Sequence, residues 1–344
     1  MRQRVKEHFD SNGISSYGNA NLVVKSVVMG SMYIIPFVLM LAGVIPGVLL
    51  MFACWIVMGL GMAGLGMVLM HDANHGSFSK SQRVNKVLSG SLFLLGGFPQ
   101  NWKFQHNALH HGFTNIDGQD EDIKGLRPLR FSPHKPLYKI HRYQHWYAWF
   151  FYSLMTISWI AIKDFRGALK YKKMDAPLYK NKKKGRLLTE VTLSKVMYYG
   201  LFLVLPLVVM PFAWYWVLAG FLVMHLISGF ILSIIFQTAH VMPSSRYPLP
   251  DEEGNMENNW AVHQLLTTTD YSPKSRIFSW MIGGLNYQVE HHLFPNISHV
   301  HYKDISKIVK ETAAKYDLPY FVQPNFIVAL QKHAQMLKML GRAA

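Results

Sequence analysis

Apolar residues along this chain gather into long blocks separated by polar, histidine-rich stretches. Residues 27–48 and 48–70 form two such blocks, broken around Gly43, Pro46 and Gly47. A second pair covers roughly 196–212 and 214–238, with Pro206 and Pro211 near the break. Each block is close to the ~20 residues that a helix needs to cross the hydrocarbon core of a bilayer, and each pair reads as a helical hairpin. Two shorter stretches read differently. Residues 87–98 are too short to span and suit a buried or re-entrant helix. Residues 147–162 carry Tyr147, Trp149, Phe150, Phe151, Tyr152 and Trp159 just after Trp146, the aromatic content of a helix lying in the membrane interface. From Tyr302 onward apolar residues recur at helical spacing among basic ones (Ile305, Ile308, Val309, then Phe326, Ile327 and Leu330), as in a cap packed on the polar part. The pattern predicts an all-α integral membrane protein: one domain over 1–344, four transmembrane helices in two hairpins, and a histidine-rich helical cap built from segments 71–195 and 239–344.

Composition agrees. Of 344 residues, 50% are hydrophobic and only 16% are charged, against roughly 25% charged in soluble domains. Disorder and a disulfide scaffold are excluded, the sole cysteine being Cys54 inside an apolar block. The polar start is too charged for a cleavable signal.

The net charge of +16 acquires meaning from its placement. The turns at 43–47 and 211–213 hold no Lys or Arg, whereas Arg2, Arg4, Lys6 and Lys25 precede the first hairpin. Between Lys163 and Arg186 ten basic residues face two acidic ones, Asp164 and Asp175. By the positive-inside tendency, both termini and the cap face the cytoplasm. The remaining positive charge suits anionic membrane lipids; no nucleic-acid motif is present.

The candidate chemistry lies in histidines, of which there are 17. Three clusters stand out: His71 with His75, His106 with His110 and His111, and Gln288 with His291 and His292. Residues three or four apart share a helix face, which suits a common metal. A lone histidine is ordinarily satisfied by a carbonyl or water, but seven in three clusters on one side of a membrane are not explained that way. Imidazole suits zinc, copper, iron and nickel. So many imidazoles exceed the needs of one four-coordinate zinc and imply two metals, with iron the choice for oxidative chemistry. His240 ends the last block on the same side and is a further candidate ligand. His225, in mid-segment, reads as a helix–helix hydrogen-bonding group; His299 and His301 are candidates to support the ligands. Asp117, Asp120, Glu121 and Asp122 form either a solvated acidic loop or a source of carboxylates that orient ligating imidazoles.

The clusters resemble the three histidine boxes of membrane fatty acid desaturases, H-x3/4-H, H-x2/3-H-H and H/Q-x2-H-H. The flanking stretches 101–122 and 283–301 look like bacterial acyl desaturases of the linoleoyl-CoA desaturase-like kind. The resemblance implies a di-iron, O2-dependent enzyme that removes two hydrogens from an acyl chain to give a cis double bond. It carries the metal-ligand role to His71, His75, His106, His110, His111, His240, His291 and His292. Gln288, where another histidine can stand, is similar to front-end desaturases, which insert the bond between an existing one and the carboxyl end; it is a weaker ligand or the holder of a water. No His-Pro-Gly-Gly segment of a fused cytochrome b5 occurs, so a separate donor is expected, ferredoxin or cytochrome b5 with its reductase. The substrate is an acyl-CoA or acyl-lipid, and the expected location is the bacterial inner membrane. Trp102 sits where similar enzymes place an aromatic lining the acyl channel; Gln105, Asn107 and Asn286 are further channel or ligand-supporting candidates. A hydroxylase using the same boxes is the near alternative. A membrane metal transporter is the alternative of another class, disfavoured by ligands at helix ends rather than at mid-membrane; a zinc hydrolase lacks its His-Glu-x-x-His.

Overall fold

The computed structural model describes residues 1–342, and these are predominantly helical. Among the described residues, four helices are long and apolar enough to cross a membrane: Ala20–Leu41, Gly47–His75, Lys184–Val209 and Trp214–His240. The first begins earlier than its apolar block because Asn19 caps it, its side chain accepting from the Asn21 and Leu22 amides. The second runs through the first histidine cluster and stops at Gly76, which adopts a left-handed conformation (φ 74°) open to glycine. The third starts inside the basic stretch, well before residue 196. Its Lys195 is buried against Asp164 and the carbonyl oxygens of Gly96 and Trp159, so the helix carries that charge without exposing it to lipid.

The second and fourth spans form the centre. A Cβ on Gly59 would lie 2.8 Å from the Met224 carbonyl oxygen, so the backbones approach at a contact only glycine allows. Core side chains Trp55, Met58, Met62, Phe221 and Met224 fill the interface. The first and third spans lie outside this pair and leave large apolar side chains such as Ile35 and Val208 exposed, as suits a lipid-facing surface.

Residues 144–173 form a run of short helices (Gln144–Ser153, Met155–Ser158, Trp159–Lys163 and Asp164–Lys173), none of them among the four spans. Trp146 and Phe150 are exposed while Ala148 and Tyr152 pack against the fourth span. Residues 87–98 are only partly buried. Gln82–Ser89 and a 3₁₀ turn, Gly90–Leu95, form an amphipathic surface piece with Leu92 and Leu95 inside and Val87 outside.

Beyond the fourth span the chain returns over the polar side. Thr269–Tyr271 pairs in parallel with Phe321–Gln323, a small sheet that the helical pattern does not announce. Helices Tyr302–Lys315 and Phe326–Leu340 complete the cap. His333 fastens it, with the Tyr152 hydroxyl 2.7 Å from Nε2 and Nδ1 donating to the Val241 carbonyl at 2.9 Å.

Candidate metal centre

Three local devices deliver the histidines. A π turn, Gly66–Met70, precedes the last helical turn of the second span, His71–His75, and places the two imidazole centroids 4.7 Å apart. A second π turn, Phe104–His110, carries the second cluster. Because a π turn closes i→i+5, His106 and His111 share a face, their Nε2 atoms 3.3 Å apart. The short helix Gln288–Leu293 supplies His291 and His292, and His240 arrives at the end of the fourth span.

All eight histidines meet in one buried region. His71, His75, His106 and His291 form one group whose ring nitrogens lie within 4.8 Å of one another, and His110, His240 and His292 form a second. His111 forms a third such group with His291 and His292, and so sits between the two. His71 Nε2 and His291 Nε2 are 3.2 Å apart. Nitrogens bonded at about 2.1 Å to one cation lie roughly 3 Å apart at right angles, so this spacing fits ligands of a shared ion. His106 and His110, four apart in sequence, fall into different main groups, though both also lie within 4.8 Å of Asp122.

Several of the rings divide their two nitrogens by direction. The Nε2 atoms of His75, His240 and His292 are buried without a hydrogen-bond partner. On the other side of the rings, His110 Nδ1 faces Asp120 Oδ1 at 3.1 Å, His240 Nδ1 the Thr267 carbonyl at 3.3 Å, His292 Nδ1 Gln264 Oε1 at 2.8 Å and His291 Nδ1 the Tyr302 hydroxyl at 3.2 Å. Partners on Nδ1 fix the tautomer and leave Nε2 lone pairs pointing inward. The unpartnered inner nitrogens therefore fit a transition-metal pair. Gln264, Thr267 and Tyr302 escaped the sequence analysis because distant backbone, and not local spacing, brings them to the rings.

Charge follows the same logic. Burial, then repulsion by neighbouring imidazoles, holds His106, His111, His291 and His292 well below the ordinary histidine range, the neutral form that binds metal. His110 differs: burial opposes its protonation, but Asp120 and Asp122 outweigh it and push the pKa up to about 9. Asp120 is thus the carboxylate orienting a ligand candidate, while Glu121 pairs with Lys170.

Gln288 is buried beside the third cluster. Its amide donates to the Leu285 carbonyl at 2.7 Å, leaving Oε1 without a partner. Trp102 stacks on His106 with centroids 4.4 Å apart. His225, away from the cluster, bonds the Tyr198 hydroxyl at 2.8 Å and Thr156 Oγ1 at 3.1 Å, the helix–helix role its position implies.

A cavity of about 670 Å³ opens beside the histidines, within the roughly 300–1,000 Å³ of small-molecule sites. Trp102, Gln105, His106 and Gln237 border it at the cluster, and Met62, Gly66, Leu95, Met155 and Leu232 among others make its apolar depth. Lys163, Arg166 and Lys170, on one helical face, line its polar part. Asn107 and Asn286 are not among the lining residues: the Asn107 amide donates to the Asn74 carbonyl at 3.0 Å and Asn286 is buried, its amide donating to the Ser272 carbonyl at 3.5 Å.

The sequence profile of the fatty acid desaturase family matches residues 46–324. The chain belongs to the fatty acid desaturase family. An acyl-lipid (8-3)-desaturase of Physcomitrium patens is 35% identical over 99% of this chain and 71% of its own length. Two proteins named sn-1 linoleoyl-lipid 6-desaturase are similar over nearly their whole length: that of Arthrospira platensis is 32% identical over 99% of this chain and 91% of its own. That of Synechocystis sp. is 31% identical over 100% of this chain and 95% of its own. This desaturase is accordingly an integral membrane oxidoreductase acting on fatty acyl lipids.

Proposed function

We propose that the desaturase introduces a cis double bond into an acyl chain carried by a membrane lipid, with two iron ions held by His71, His75, His106, His110, His111, His240, His291 and His292. The observation that carries this reading is that His106 belongs both to the histidine cluster and to the wall of the largely apolar cavity. Iron, when bound, supplies the O2-dependent oxidation that a saturated methylene requires and that no side chain here provides.

The chain's own residues do the rest. Met62, Leu95, Met155 and Leu232 exclude water and hold the acyl chain in extended register, so the bond position becomes a length measured from the mouth. Trp102, stacked on His106, sets the wall next to the reacting carbons. Lys163, Arg166 and Lys170 hold the polar head. Gln288 Oε1 is placed to hold a water or complete a ligand set. Insertion between an existing double bond and the carboxyl end fits this glutamine and the relatives named for position 6 of a linoleoyl lipid. Electrons come from a separate donor, ferredoxin or cytochrome b5, and an acidic donor suits the basic side. By the positive-inside tendency that side is cytoplasmic, in a bacterial inner membrane.

The test is the fatty acid profile of host membranes expressing the protein, fed with linoleoyl lipid and compared with His106→Ala at equal expression. A new unsaturated acid absent from the variant is expected. A hydroxy acid as the main product would contradict desaturation.

A further inference from the structure

Lys25 lies inside the first membrane-spanning helix and is 5% exposed. A buried ammonium is costly unless it is paired, yet its hydrogen-bond partner is a neutral-capable ring: Nζ donates to His299 Nε2 at 3.2 Å. An ammonium has only donors, so Nε2 must accept, and the ring proton of His299 is confined to Nδ1. That Nδ1 lies 3.0 Å from Asp72 Oδ1. Asp72, wholly buried, also accepts at Oδ2 from the Ser298 hydroxyl at 2.7 Å and the His299 amide at 3.2 Å. Its Oδ1 stands 3.6 Å from Nδ1 of His71, whose Nε2 points into the first histidine group.

From this chain of contacts we infer that Lys25 is a remote positioning residue of the metal group containing His71, acting through His299 and Asp72. The inference rests on the proposal that these histidines hold iron. Lys25 and Asp72 are opposite charges with His299 between them, and the carboxylate beside His71 Nδ1 favours the ring proton on that nitrogen and leaves Nε2 free. The line also ties three separate segments together: the first span, the end of the second, and the turn after the third cluster. Without the ammonium, His299 is free to turn its proton to Nε2, and Nδ1 then meets Asp72 as a second acceptor.

The test uses purified wild type, Lys25→Met and Lys25→Arg loaded with isotopically enriched iron. Two readouts apply: the rate of iron loss to a chelator, and the Mössbauer spectrum. Lys25→Met is expected to lose iron about 10-fold faster and to change one of the two iron environments while leaving the other as in wild type. Lys25→Arg, which retains the charge and donor, is expected to restore most of both properties. Wild-type retention and an unchanged spectrum in Lys25→Met would overturn the role of Lys25 alone. Loss of the thermal unfolding transition in metal-free Lys25→Met would also overturn it, marking the residue as one needed for folding. Wild type that binds no iron would overturn the metal reading beneath it.

Discussion

The inner and outer membrane helices of this desaturase are similar in length and apolarity and do different work. The most apolar windows of Gly47–His75 and Trp214–His240 are each 56% buried, against 28% for Ala20–Leu41 and 33% for Lys184–Val209. Each inner helix ends on the cluster, at His71–His75 and at His240. Close contacts such as that at Gly59 fix the inner pair, so a ligand at either end inherits a rigid position. The outer helices leave more apolar surface exposed and each buries a cation, Lys25 of the first against His299 and Lys195 of the third against Asp164. Apolarity alone makes a span; burial of one face makes a scaffold.

Substitution at the inner end has the largest expected effect. His240→Ala removes one of three nitrogens from the second group and is expected to cut desaturation by at least ~100-fold, above the 10–100-fold typical of groups that only support a ligand. Product yield per iron-loaded chain measures it, and unchanged yield would detach the fourth span from the chemistry. Breaking the outer anchor comes next. Lys195→Met leaves Asp164 buried beside Asn101 with its cation gone, which is expected to cost about 3–5 kcal/mol, read as a lower midpoint of thermal unfolding in detergent. A smaller, selective change follows from Gly66. A Cβ there would sit 3.6 Å from Leu232 and 3.7 Å from Leu95, ordinary contact inside the cavity, so Gly66→Ala fits the fold and narrows the acyl space. The product profile should shift to shorter chains with little loss of stability. Val208→Ala, on the exposed face of the third span, is expected to change stability by less than ~0.5 kcal/mol. A large loss there would remove the distinction between inner and outer helices.

What local spacing controls was legible in the sequence, and what distant packing controls was not. The three histidine clusters and His240 are short-range patterns at helix ends, and the structure brings all eight together. The number of spans followed from hydropathy, but the start of the third did not, since Lys195 is made tolerable by Asp164 from another segment. The approach of His111 to His106, five residues apart, depends on a π turn, which replaces the 3.6-residue period assumed for the cluster. Trp102 and Gln105 line the cavity while Asn107 and Asn286 do not, because polarity near a cluster does not say which way a side chain points. Lys25 read simply as part of the positive flank, and its link to Asp72 and His299 crosses most of the chain.

Metal analysis of the protein purified from iron-sufficient cells separates a di-iron centre from any other occupant of the histidines. The account predicts about two iron atoms per folded wild-type chain, as befits histidines too many for one four-coordinate ion, falling in His240→Ala while the chain remains folded. A folded wild-type chain that carries no iron, or a single zinc, would contradict it.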